Sequence, residues 1–250
     1  MSTRDEMYEG RIYPSMHGDL KIIKYHNSSD VTVEFVATGY RRSARPQHIK
    51  SGGVKDAFFP TIGGVGFLGG KVEDKRSYHV WCEMIRRCYV QKEKNGRYQE
   101  RGVEVCEEWH NYQNFYKFYE KFYKEDYHLD KDILIQGNKL YSPETCCFVP
   151  ININSLFTYT QAKRGGLPCG VAYNEDRGGR LGNYSAQVCQ GKKNIKWLGY
   201  YANTEDAFNV YKKEKERVIR TVAEHSLWEG EIDLTVYEAL LKHEVLPYPD

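Results

Sequence analysis

LDKDILIQGNKLYSPETCCFVPININ, residues 129–154, decides how the rest of the chain is read. LDKDIL has the length of a short strand. On it Asp130 and Asp132 share a face with His128, because successive strand residues point to opposite sides. IQGN and YSPET carry the glycine, asparagine, serine and proline that turns need. CCFVP is an apolar strand, and ININ places Asn154 just beyond it. Two strands and a helix that bring a carboxylate, an amide and a histidine together suit phosphodiester cleavage. That reaction needs a divalent metal on the phosphate, a base for water and a rigid scaffold. The bland alternative is a buried strand with solvated charges, followed by plain turns.

The chain has 250 residues and a formal net charge of +2. That length suits two or three small domains. No run is apolar enough to cross a membrane, and MSTRDEMYEG lacks the apolar core of a signal peptide. A cytoplasmic protein is expected. Seven cysteines, an odd number without a secreted framework, imply reduced thiols. Cys82, Cys88, Cys106, Cys146 and Cys147 cluster in the middle of the chain, but without paired C-x-x-C spacing structural zinc is not expected. Charge is uneven: Gln161–Tyr200 holds seven lysines or arginines and two acids, which suits a phosphate backbone and equally a solvated face.

Working outward, the pattern predicts an α+β, multi-domain protein. Residues 1–72 form a β-rich module: Val31, Val33 and Phe35 alternate in VTVEFV, Leu20 and Ile22 alternate in LKII, and HNSSD is a turn between them. GVGFLG (Gly64, Gly66, Gly69) is a glycine-rich turn rather than a dinucleotide fingerprint, since no helix follows it. The basic loop GYRRSARPQHIKSGGVK is open to nucleic acid or to solvent. In residues 73–160, SYHVWCEMIRRCY spaces Trp81, Met84, Ile85 and Cys88 as a helix stripe. EEWHNYQNFYKFYEKFY spaces Trp109, Tyr112, Tyr116, Tyr119 and Phe122 likewise. Residues 165–226 read as three short strands and one long helix with Thr204 as N-cap, and 227–250 as a helical tail.

W-x-x-M-x-x-R-C (Trp81, Met84, Arg87, Cys88), RGVEVCEEW, NFY, LDKDI, GN, YSPETC, FVP and IN together resemble the HNH, or ββα-metal, nuclease family. The resemblance is to its phage-type subgroup related to intron homing endonucleases, over about residues 77–156. It implies Asp130 as first-strand metal ligand, Asn138 as loop brace and Asn154 as helix ligand for one Mg²⁺ or Mn²⁺. Arg87 and Lys139 would contact phosphate. Two positions depart from the family: Thr145 stands where asparagine is usual, and Lys131 stands where the base histidine is usual. His128, or Lys131 itself, would then have to serve as base.

GVAYNEDRGG, NYSAQV and WLGYYANTEDAFNVY, within about residues 168–224, resemble the plant APETALA or ethylene-response-factor DNA-binding domain, relatives of which occur in phage homing endonucleases. The resemblance implies a three-stranded sheet in the major groove of double-stranded DNA. Arg177, Arg180, Tyr184, Gln187, Lys193, Lys196 and Trp197 would face the duplex; Trp197 alternatively belongs to a sheet core. The expectation is a DNA-binding, metal-dependent nicking or cleaving endonuclease of phage type, able to act as a homodimer. The alternative is a non-catalytic DNA-binding regulator or counter-defence protein with a degenerate HNH module, favoured by Lys131. The 21 tyrosines also leave room for stacking on RNA.

Overall fold

A computed structural model describes residues 6–90, 100–157, 166–175, 183–190 and 194–248. It is a mixed α+β chain that divides into two compact units, Met1–Lys121 and Phe122–Asp250. The division falls inside the segment 73–160. No helix among the described residues is long and apolar enough to cross a membrane.

The first unit opens with a four-stranded antiparallel meander, in the order β1 (Ile12–Tyr13), β2 (Leu20–Asn27), β3 (Asp30–Phe35), β4 (Arg41–Ala44). Alternation sets its inner face: Leu20, Ile22, Val31, Val33 and Phe35 are buried, together with Ile49 from the short helix α1 (Pro46–Lys50). GVGFLG forms turns and isolated bridge residues, and the next helix starts only at Lys75. That helix, α2 (Lys75–Tyr89), is N-capped by Asp74, whose side chain accepts from Ser77 N at 2.6 Å. It buries Trp81, Cys82, Met84, Ile85 and Cys88. The indole of Trp81 is fully buried and donates to the Trp109 carbonyl at 2.7 Å.

After β5 (Glu104–Val105), the expected single helix over 107–123 is two: α3 (Glu107–His110) and α4 (Tyr112–Phe122). Asn111 between them is extended. Phe67 holds it open, donating N–H to the His110 carbonyl and accepting from Tyr112 N, both at 2.9 Å. The break resets the helical phase. The buried stripe becomes Tyr112, Phe115, Phe118 and Tyr119, and Phe122 is 43% exposed.

The second unit contains β6 (Tyr127–Asp130), β7 (Leu140–Tyr141), β8 (Cys147–Pro150) and the one-turn helix α5 (Ile151–Asn154). A three-stranded antiparallel sheet follows, in the order β11-β10-β9, from β9 (Val171–Tyr173), β10 (Tyr184–Cys189) and β11 (Ile195–Tyr201). Behind it lie the long helix α6 (Thr204–Trp228) and α7 (Leu234–Lys242). The N-cap of α6 is Asn203 rather than Thr204; its side chain accepts from Asp206 N at 2.8 Å. One apolar core unites these pieces. It runs from Cys147, Val149 and Ile153 through Val171, Ala186 and Val188 to Val218, Ile219, Val236 and Leu240.

Gly170 shows how closely the sheet sits on α6. Its φ is +70°, and a Cβ there would lie 2.0 Å from the Tyr211 ring. Gly170→Ala therefore adds a left-handed alanine to an overpacked contact. The expected loss is about 2–5 kcal/mol, read as a lower urea midpoint at unchanged slope. An unchanged midpoint would mean that the sheet does not rest on Tyr211.

Candidate functional site

Strands β6 and β8 pair antiparallel, with His128 opposite Val149 and Asp130 opposite Cys147. Opposed residues share a face, so Asp130 and His128 lie on the side that carries the buried Cys147 and Val149. Helix α5 follows directly and packs on both strands. The order is strand, loop, strand, helix.

Asp130 ends β6. Its Oδ1 accepts the backbone N–H groups of Asp132 and Ile133 at 2.7 and 2.9 Å, a side-chain turn that pulls the chain out of the ladder. Burial pushes its carboxyl above the usual range. The two N–H groups work against that shift, the Asp132 charge adds to it, and the Lys131 charge opposes it. A carboxylate in a place that disfavours its charge is a common mark of a functional site.

The loop after Asp130 is braced reciprocally. The Asn138 amide donates to the carbonyls of Lys131 (2.9 Å) and Leu140 (2.6 Å), and its oxygen accepts from Leu140 N at 3.1 Å. The Lys131 ammonium is buried and returns the contact, donating to the Asn138 carbonyl at 2.6 Å and to Asp132 Oδ1 at 2.7 Å. Lys131 is thus committed to the loop. Two of its three N–H groups are spent on these internal acceptors, so the buried ammonium braces the loop. Thr145, at the second departure, closes the YSPET turn: its hydroxyl donates to the Leu140 carbonyl at 2.6 Å and accepts from Ser142 N at 3.2 Å.

His128 is exposed on the Asp130 side of the strand, and Lys139 is exposed in the loop. Arg87 is exposed on α2 in the other unit. Asn154 is partly buried at the end of α5. Asp130 and Asn154 each carry a hard oxygen donor, the kind Mg²⁺ or Mn²⁺ accepts while keeping several waters. One Asp130 oxygen is oriented by backbone N–H groups, as ligating carboxylates usually are. Among the described residues no group of three or more His, Cys, Asp or Glu side chains converges to hold a metal. Cys82, Cys146, Cys147 and Cys189 are free thiols. Burial pushes Cys146 up to about 12, and raises Cys147 as well.

A second constellation lies on the β9–β10–β11 sheet. Ala186 and Val188 face the core. Gln187, between them, faces the open side directly opposite Trp197. Trp197 is 50% exposed, and its ring meets Tyr200 edge-on at 4.9 Å. Cys189 and the exposed Ile195 form the next outward pair.

Two expected DNA-facing residues lie on the other side. Tyr184 pairs with Tyr201 and packs against the core, and Lys196 pairs with Val188 and reaches Glu214 of α6 at 3.0 Å. Adjacent residues such as Lys196 and Trp197 cannot share a strand face. The bulge between Ala186 and Gln187, with Gly199 at φ +127° on the partner strand, fixes which of them is outward. Sequence reasoning missed Tyr200 and Ile195 on the open face; the available signal was their parity with Trp197 once a glycine bulge is allowed. Arg177, Arg180 and Lys193 lie outside the described residues. Comparison of the chain with protein-family models, with curated proteins and with solved structures finds no match to any of them.

Proposed function

We propose that this chain binds double-stranded DNA through the open face of the β9–β10–β11 sheet and that its β6–β8–α5 unit is an HNH-type, metal-dependent nicking endonuclease of the phage homing type. The observation that carries the reading is Trp197 and Gln187 side by side and exposed on the face turned away from the core. A half-exposed tryptophan has little core value there. It offers a stacking or sugar-packing plate, while a glutamine amide pairs with the edge of adenine.

In the nicking unit, Asp130 and Asn154 would hold Mg²⁺ or Mn²⁺, which supplies charge neutralisation at the phosphate and the leaving oxygen. The chain's own residues do the rest. Backbone N–H groups orient the Asp130 carboxylate, and Asn138 and Lys131 keep the loop from collapsing. His128, on the Asp130 side and open to water, accepts the proton of the attacking water. Exposed Lys139 attracts backbone phosphate. One site per chain cuts one strand, so a double-strand cut requires a homodimer.

A second reading has its own observation. With Lys131 turned inward as a brace, the unit is also a sound scaffold for a non-catalytic DNA-binding regulator or counter-defence protein.

Trp197→Ala tests the DNA face. Loss of one stacked aromatic costs about 1–3 kcal/mol, a roughly 5- to 150-fold weaker affinity for a labelled mixed-sequence duplex, read by fluorescence anisotropy. Lys196→Ala, on the helix side, should change affinity little. Equal affinity of the Trp197 variant and the parent would remove the sheet from the interface.

A further inference from the structure

We infer that the N-terminal sheet carries a nucleotide-sized pocket that holds one phosphate ester of a nucleic-acid strand. A cavity of about 400 Å³ opens between the start of β3, strand β4, helix α1 and the segment that follows it. Its chemistry comes from Arg42, Arg45, His48 and Lys55, with Ser43 and Asp30 on the wall. This volume falls within the range of small-ligand sites, and is generous for a bare phosphate.

Neighbouring cations of this unit are neutralised internally: Arg41 pairs with Glu34 and Lys50 with Glu6. Arg42, Arg45 and Lys55 make no ion pair among the described residues. Arg42 stands opposite Val33, so its side chain starts on the inner face of the edge strand. It donates to the Lys55 carbonyl at 2.9 Å, which ties the two sides of the pocket together. Arg45 precedes α1 without making a side-chain cap. Three exposed cations therefore line one concavity, and like charges held together are relieved by an anion.

On the wall, Asp30 Oδ1 is buried and has no hydrogen-bond partner among the described residues. Closed to solvent, it lies out of a ligand's reach, so the three cations set the chemistry and select an anionic ester. The choice of a strand rather than a free nucleotide rests on the DNA-binding reading above.

The test uses the full chain and the double variant Arg45→Ala/Lys55→Ala. Both residues are exposed, so the unfolding midpoint should not move. Anisotropy with a labelled duplex is measured over a salt series, with a nucleoside monophosphate and inorganic phosphate as competitors. The expected result is an affinity loss of about tenfold and a salt slope shallower by about 1, for the one lost phosphate contact. Unchanged affinity and slope in the double variant, while Trp197→Ala still weakens binding, would overturn the pocket and leave the sheet reading intact. Pocket-dependent binding of the monophosphate alone, with duplex binding indifferent to the pocket, would overturn the strand assignment. Absence of duplex binding by the parent chain would overturn the reading on which the assignment rests.

Discussion

Asp130→Asn is expected to stabilise the protein at pH 7 and to remove the proposed cleavage activity. Burial holds the Asp130 carboxyl above its unfolded value of 3.8. The folded chain therefore binds the Asp130 proton more tightly than the unfolded chain does. Stability from this group is present at low pH and is lost as pH rises through the interval between 3.8 and the raised folded value. At pH 7 the ionised carboxylate is a cost to the fold. Asparagine is neutral and keeps an oxygen for the N–H groups of Asp132 and Ile133. The stability gain should be about 0.5–2 kcal/mol, the usual scale for relieving one local conflict. It should shrink as the pH is lowered toward 3.8, and thermal unfolding at pH 7 and pH 4 reads the difference. Cleavage should fall by more than about a hundredfold, beyond the loss of a group that merely supports a metal ligand. A variant less stable than the parent at pH 7 would mean that the Asp130 charge is compensated in the fold and is not held in reserve for a cation.

Trp81→Ala carries the largest expected loss of stability, about 3–5 kcal/mol. The side chain is fully buried in α2, its ring meets Tyr112 at 5.7 Å, and its N–H satisfies the Trp109 carbonyl at 2.7 Å. Truncation leaves both a cavity and an unpaired carbonyl. The glycine turn adds to the constraint, since a Cβ on Gly66 would lie 3.0 Å from the same indole. Of the four tryptophans, Trp81 and Trp109 are buried in the first unit, while Trp197 and Trp228 are half-exposed and exposed in the second. Denaturant unfolding followed by tryptophan emission will therefore show the loss as an early red shift. A midpoint within about 1 kcal/mol of the parent would show that the α2 stripe does not organise that unit.

What could be read from sequence was what depends on near neighbours. The alternation of Val31, Val33 and Phe35 foretold an inner strand face, and the α2 stripe foretold a buried helix side. The three strands and long helix of the C-terminal segment were legible from turn residues and from apolar spacing. What escaped depends on partners far along the chain. The split of α3 from α4 at Asn111 is set by Phe67, which no helical pattern reveals. Lys131 reads as a candidate base in isolation, and its bracing role shows only where Asp132 and the Asn138 carbonyl close on it. The outward set Gln187, Trp197 and Tyr200 needed a bulge, because strict alternation cannot say which of Lys196 and Trp197 faces out. The pocket at Arg42, Arg45 and Lys55 showed in the sequence only as a basic loop. Its concavity, and the orphan Asp30 oxygen beside it, arise from the fold.

The most direct measurement is conversion of supercoiled plasmid to open circle in Mg²⁺ and in Mn²⁺, with DNA retardation scored in the same reactions. The parent chain, Asp130→Asn, Asn154→Ala and His128→Ala would be compared. The proposed function predicts open-circle product from the parent chain only, with all four proteins retarding the plasmid equally. Equal retardation without any nicking by the parent chain would contradict the nuclease and leave a DNA-holding protein built on its scaffold.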